Sequence, residues 1–243
     1  MSTATLSTAQ ETTLETPSIM HLYREFFATR YIQGQGIEIG ALHSPLKVPA
    51  GVKVRYVDRM TVPELKRQYR ELASANLVQV DIVADGELLE TVADGSQDFV
   101  IASHFIEHCQ DPIRAIGNML RVLKPAGIVY MIVPDKRHSF DLDRPVTTFA
   151  HLLRDYQEGP KWSKYQHFQE WVECVDHITD PEEVTHRVKR LLDLDYSIHF
   201  HVWTAIDFLD FLICLKHFLN FSFEIETVFE NGPELITVFR KIC

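Results

Sequence analysis

A chain of 243 residues with 24 basic and 34 acidic side chains carries a formal charge of −10, and 46% of its residues are hydrophobic. This charge argues against a nucleic-acid partner, because neutralising phosphates takes a stripe of Lys and Arg and no basic run exceeds Lys66-Arg67, Lys136-Arg137 or Lys189-Arg190. The length suffices for one full core without staples, and Cys109, Cys174, Cys214 and Cys243 show neither a Cys-x-x-Cys pair nor zinc-ribbon spacing.

Residues 1–18 contain nine Ser or Thr, two Glu and no basic residue, which matches neither a signal peptide nor a transit peptide. Residues 1–17 are therefore expected to be a disordered tail. Ser18 then caps a helix carrying Ile19, Leu22, Tyr23 and Phe26 at helical spacing. The most apolar stretch, Ala205 to Leu219, is broken by Asp207, Asp210 and Lys216, so no membrane span is expected, and the protein is read as soluble and cytoplasmic.

From residue 36 short apolar runs predict strands at Gly36–Gly40, Val52–Val57, Leu77–Val83, Phe99–Ala102 and Ile128–Val133. Helix starts stand between them. Thr61-Val62-Pro63-Glu64 has the form of a capping box, and Asp111-Pro112 opens a helix with Ile113, Ile116, Leu120 and Leu123 that stops at Lys124-Pro125. Such alternation predicts a mostly parallel sheet covered on both faces. Residues 136–196 are mainly helical, with Asp180-Pro181-Glu182-Glu183 opening one helix, and are read as a cap insertion. A helix from Thr204 to Leu219 follows, then two strand-like runs, Phe221–Glu230 and Glu234–Lys241, joined through Asn231-Gly232-Pro233 as an antiparallel hairpin. The expected fold class is α/β: a Rossmann-like, doubly wound, seven-stranded sheet, mostly parallel with an antiparallel C-terminal hairpin strand, plus a helical cap. The expected division is a tail (1–17), a core (18–135 and 197–243) and the cap (136–196).

Ligands of open parallel sheets bind beyond the carboxyl ends of the strands. The first such turn reads Glu38-Ile39-Gly40-Ala41-Leu42-His43, and only Gly40 fits a dinucleotide fingerprint. Glu38 would also repel a pyrophosphate. Twenty residues on, Asp58 in Val57-Asp58-Arg59 can accept hydrogen bonds from ribose hydroxyls. A ribose-binding acid beside an acidic first turn suggests a positively charged nucleoside, and S-adenosylmethionine is one.

These residues, together with Asp94-Gly95-Ser96-Gln97-Asp98-Phe99-Val100-Ile101, Ser103-His104-Phe105-Ile106-Glu107-His108 and Leu123-Lys124-Pro125-Ala126-Gly127, make residues 34–134 resemble the class I S-adenosylmethionine-dependent methyltransferases of the type 11-like group. The resemblance implies S-adenosylmethionine as cofactor, with Glu38, Gly40 and Ala41 at its methionine moiety and Asp58, with Arg59, at its ribose. It places Asp85-Gly86 or Asp81 around adenine, and Ser103 and His104 facing the cofactor. The family's first turn usually has two or three glycines, but here Leu42 and His43 fill the later positions.

The expected function is methyl transfer to a small-molecule acceptor, with a sugar or glycan hydroxyl as first choice; the other reading is a nucleoside-binding or scaffold protein without catalysis. A hydroxyl acceptor needs a base. His104 is one candidate, its alternative being packing or cofactor contact, and His108 reads as structural. The segment after the fifth strand is expected to choose the acceptor through Asp135 and His201. His199 and His201 share one face if Ser197–Trp203 is extended. With Asp135 or Asp141 they could also hold a divalent metal on an acceptor diol, although no metal ligand set is assigned.

Overall fold

The computed structural model describes residues 19–242, so the predicted tail, the Ser18 cap and Cys243 lie outside the described residues. Helix α1 (Ile19–Tyr31) precedes β1 (Gln35–Ile39), β2 (Lys53–Asp58), α2 (Val62–Gln68), β3 (Ile82–Val83), β4 (Gln97–Ser103), α3 (Pro112–Val122) and β5 (Leu123–Pro134). The cap helices α4 (Phe149–Glu158), α5 (Lys161–Cys174) and α6 (Pro181–Asp193) follow, then α7 (Ala205–Leu219), β6 (Phe223–Asn231) and β7 (Glu234–Lys241).

The strands form one seven-stranded sheet in the order β3-β2-β1-β4-β5-β7-β6. All neighbouring pairs up to β5 are parallel, and β7 runs antiparallel to both β5 and β6. The order reverses between β1 and β4, which opens a crevice at their carboxyl ends. The expected fold class therefore stands, hairpin included: Asn231 faces Glu234 across a turn whose Gly232 has φ +68°.

Strand alternation divides the core. Val100, Ala102, Val129 and Met131 face Ile113 and Ile116 of α3 and Phe208 and Leu212 of α7, whereas Phe99, Ile101, Tyr130 and Ile132 face Ala28 of α1 and Ile32 just beyond its end. The helix starts act as their chemistry requires: Asp111 accepts the Arg114 N–H at 2.9 Å, and Asp180 accepts those of Glu182 and Glu183. The cap has a core of its own, in which Phe168, Val172, Val184, Val188 and Leu191 pack with Ile198 and Phe200.

The β1–β2 connection carries no helix, because Pro45 and Pro49 each remove an N–H donor, and Leu46 packs against the α1 side of the sheet. Two local expectations are corrected. The strand expected over Leu77–Val83 pairs only at Ile82–Val83; before it, Asp81 Oδ2 accepts the Tyr56 N–H at 2.9 Å, so this carboxylate serves the sheet edge and not adenine. The face of α1 that packs carries Ala28, with Phe27 and Tyr31 partly buried beside it, while Ile19, Leu22, Tyr23 and Phe26 stay exposed. Among the described residues no helix is long and apolar enough to cross a membrane.

Candidate active site

A cleft of about 610 Å³ opens at the crevice between β1 and β4, within the range of small-molecule sites. Its core side is lined by Gly40, Leu42, Asp58, Arg59, Asp85, Gly86 and His104, and its far side by Tyr69, Asp195, Tyr196 and Phe200. A second depression, of about 580 Å³, lies along α3 beside Arg114 and Arg121 and contains none of the candidate residues.

The first turn is shaped by backbone geometry. Gly40 has φ +66°, and Leu42 has φ +50°, a left-handed conformation usually left to glycine, which accounts for a leucine departing from the glycine-rich pattern only at a cost of about 1–2 kcal/mol. Glu38 lies beneath this turn, fully buried, and does not line the cleft. Its Oε1 accepts the Leu46 N–H at 2.9 Å and its Oε2 has no partner, and burial, outweighing that hydrogen bond, raises the carboxyl to about 7. The expected methionine contact is thus replaced by a positioning role: Glu38 pins the loop that carries Gly40.

Asp58 ends β2 at the cleft, where burial raises its pKa despite hydrogen bonds from the Arg59 and Met60 backbone. Arg59 turns away from its neighbour, donating to Tyr69 Oη at 2.7 Å and to Asp195 Oδ2 at 3.1 Å, and so ties the two sides of the cleft together. Asp85 closes a turn by accepting the Glu87 N–H. Gly86 is required by packing, because a Cβ there would fall 2.6 Å from Ile39 Cγ2 and 2.7 Å from Phe105 Cζ. Ala41 and Ser103 stand next to lining residues without lining the cleft themselves.

His104 lines the cleft with φ +50° and lies between two carboxylates, its Nε2 3.2 Å from Glu234 Oε2 and its Nδ1 3.5 Å from Glu107 Oε1. Burial would lower its pKa, but the two carboxylates outweigh burial and raise it to about 9. The two carboxylates favour the charged ring, which has no lone pair with which to take a proton, while Arg24 Nη2 also lies 3.3 Å from Nε2.

The sign of the linkage follows. Below about 6.5 the ring is charged in both folded and unfolded states and its ion pairs contribute fully; the contribution disappears as pH rises through about 9. The stability difference between wild type and His104→Gln, read from urea unfolding, should therefore shrink over that window. A constant difference would refute the ion pairs.

Asp135 and His201, expected at the acceptor, lie outside the cleft. The Asp135 carboxylate takes the Arg137 guanidinium and the Ala205 N–H at 3.0 Å, tying the end of β5 to the start of α7; burial is outweighed by Arg137, and the pKa falls to about 2. His201 is fully buried behind Phe200. His199 and His201 do not share a site: His199 Nδ1 meets Asp141 Oδ2 at 2.7 Å, whereas His201 packs on His151 and His167. The segment is not a regular strand, so the alternation rule does not hold there.

Sequence reading missed Tyr69, Glu87, Asp195 and Tyr196, and took His108 as structural although it lines the cleft. Burial lowers His108 to about 4, and its Nδ1 lies 2.9 Å from the Ile198 carbonyl, so Nδ1 carries the proton and Nε2 the lone pair. A histidine four residues after a strand-end histidine, on the next turn, was the available signal.

No curated protein matches the sequence. Among solved structures, a Rhodobacter sphaeroides protein named provisionally as a Zn-dependent alcohol dehydrogenase superposes with a TM-score of 0.50 at 16% identity, covering 90% of this chain and 89% of that one. A SAM-dependent methyltransferase from Thermotoga maritima gives 0.46 at 15% identity, covering 91% of each chain. A Bacillus halodurans protein named provisionally as a methyltransferase gives 0.49 at 13%, covering 92% and 99%. At these identities the likeness is one of fold alone. Residues 39–131 match a family model described as a methyltransferase domain. The matched stretch runs from the end of β1 into β5 and includes Gly40 and Asp58, which line the cleft.

Proposed function

We propose that the protein transfers a methyl group from S-adenosylmethionine to a small, hydroxyl-rich acceptor, with a sugar or glycan hydroxyl as first choice. The observation that carries this reading is the cleft itself, with the Asp58 carboxylate on the core side and Tyr69, Asp195 and Tyr196 facing it. The fit to the cofactor is chemical: Asp58 can accept from ribose hydroxyls, and Gly40 lets the backbone approach. The chemistry supplied by S-adenosylmethionine is a methyl group on a sulfonium ion, open to in-line displacement.

The chain's task is then to position the acceptor and exclude water. Tyr69 and Tyr196 meet edge to face at 5.9 Å, offering aromatic planes beside the Asp195 and Glu71 carboxylates, a lining suited to a polyol. His108, held neutral with its proton on Nδ1, is an imidazole lining the cleft that can accept a hydrogen bond from an acceptor hydroxyl. A binding protein without catalysis is the second reading, favoured by the charged state of His104 and the burial of Asp135 and His201. Free thiols at Cys109, Cys174 and Cys214 and the charge of −10 support a cytoplasmic enzyme with no nucleic-acid partner.

Calorimetric titration with S-adenosylmethionine, S-adenosylhomocysteine and NAD should show binding of the first two only. Tight NAD binding without the others would overturn the reading. Labelled methyl donor incubated with cell extract, followed by size fractionation, should put label in the small-molecule fraction, and absence of any labelled product would leave the binding-only reading standing.

A further inference from the structure

The cap holds a cluster that the methyl-transfer reading does not use. His151 and Asp155 lie one turn apart on α4, His167 stands on α5, and His201 comes from the segment behind the cleft wall. Their ligand atoms all lie within 4.8 Å of one another. His151 Nε2 is 3.0 Å from His167 Nε2 and 3.1 Å from Asp155 Oδ2, and His201 Nε2 is 3.7 Å from that same oxygen.

These spacings suit an ion better than they suit each other. A tetrahedral ion with ligands at about 2.0–2.2 Å sets its donor atoms about 3.4 Å apart, and the three distances fall on either side of that value. Asp155 Oδ2, though close to two histidines and on a residue fully buried, has no hydrogen-bond partner; His201 Nε2 meets the Gln110 carbonyl at 3.3 Å, and its Nδ1 has no partner. A buried oxygen that lies close to two imidazoles without hydrogen-bonding either is what a donor aimed at a common centre looks like. A buried carboxylate oxygen left so is costly without a cation.

The surroundings are built to match. Asp155 Oδ1 accepts the Ser163 hydroxyl at 2.7 Å, which fixes the carboxylate and leaves Oδ2 turned inward. His151 alone of the four is partly exposed, and provides the path of entry.

We infer that His151, Asp155, His167 and His201 form a closed structural site for one zinc-like divalent transition ion, which fastens α4 and α5 to the segment backing the cleft. Three imidazoles and one carboxylate select zinc and its neighbours over magnesium or calcium, which prefer oxygen. Four protein donors leave no open position, which marks the site as structural. On binding, the proton shared between the two Nε2 atoms moves to the other ring nitrogen of one of them, and that on His201 Nε2, released from the Gln110 carbonyl, moves to its partnerless Nδ1. The inference stands apart from the methyl-transfer reading and does not depend on it.

The test uses the full chain after dialysis against EDTA, titrated with Co²⁺ and then with Zn²⁺. One Co²⁺ per chain with the intense visible absorption of tetrahedral coordination, displaced by Zn²⁺ and not by Mg²⁺, is expected, together with a rise in melting temperature. His151→Ala, at the partly exposed position, should fold without the ion and bind it at least about tenfold more weakly. His199→Ala, which removes a member of the neighbouring Glu107, His108 and His199 group, should bind as wild type does. No stoichiometric binding, an octahedral spectrum, or binding that His151→Ala spares would each overturn the site.

Discussion

Arg144→Ala should lower the unfolding free energy by about 3–5 kcal/mol, the usual penalty for leaving a buried ion pair without one partner. Arg144 is almost completely shielded from solvent, and its guanidinium donates to Asp141 Oδ1 at 2.9 Å, Glu170 Oε1 at 2.8 Å and the His199 carbonyl at 2.7 Å, with a longer contact to the Phe200 carbonyl at 3.3 Å. Its removal strands the buried Asp141, whose other oxygen meets His199, and two carbonyls that no water can reach. Arg144→Lys should recover only part of the loss, since an ammonium cannot reproduce the planar fork that spans these acceptors. Urea unfolding measures the loss, and a change under about 1 kcal/mol would show that the network is not what holds the cap. Because the two carbonyls belong to the segment that carries Phe200 to the cleft wall, a folded Arg144 variant should also bind small ligands less well.

The second large effect concerns binding. Asp58→Ala should weaken S-adenosylmethionine binding by roughly 1.5–3 kcal/mol, about 10- to 150-fold in Kd, because a charge-assisted hydrogen bond from the ribose is lost. The carboxylate is committed only to the Arg59 and Met60 backbone, so it has capacity left for hydroxyl donors. Calorimetry of the folded variant decides the point, and unchanged affinity would refute the assignment. Glu38→Gln should act differently: it keeps an acceptor for the Leu46 N–H, so the loop stays pinned and affinity changes far less than with Asp58→Ala.

What could be read before folding was set by local chemistry. Asp111-Pro112 and Asp180-Pro181 announce helices because a capping carboxylate needs only the next two or three N–H groups. Asn231-Gly232 announces the hairpin because Gly232 alone must take a positive φ. The place of Asp58 followed from strand order, since the end of a parallel strand beside the reversal point must face the crevice.

The amino-acid sequence by itself determined the sheet, its hairpin and the core side of the cleft, because apolar periodicity, caps and turn residues act over a few positions. Only the tertiary structure decided the rest. Tyr196 reaches Glu71 across 125 residues to form the far wall, and Glu234, 130 residues from His104, joins Glu107 in favouring the charged form of that ring. Burial sent His201 to His151 and His167 and His199 to Asp141, although two positions separate them in the chain. A side chain's charge and task depend on which distant groups exclude water from it and which face it, and spacing along the sequence carries neither.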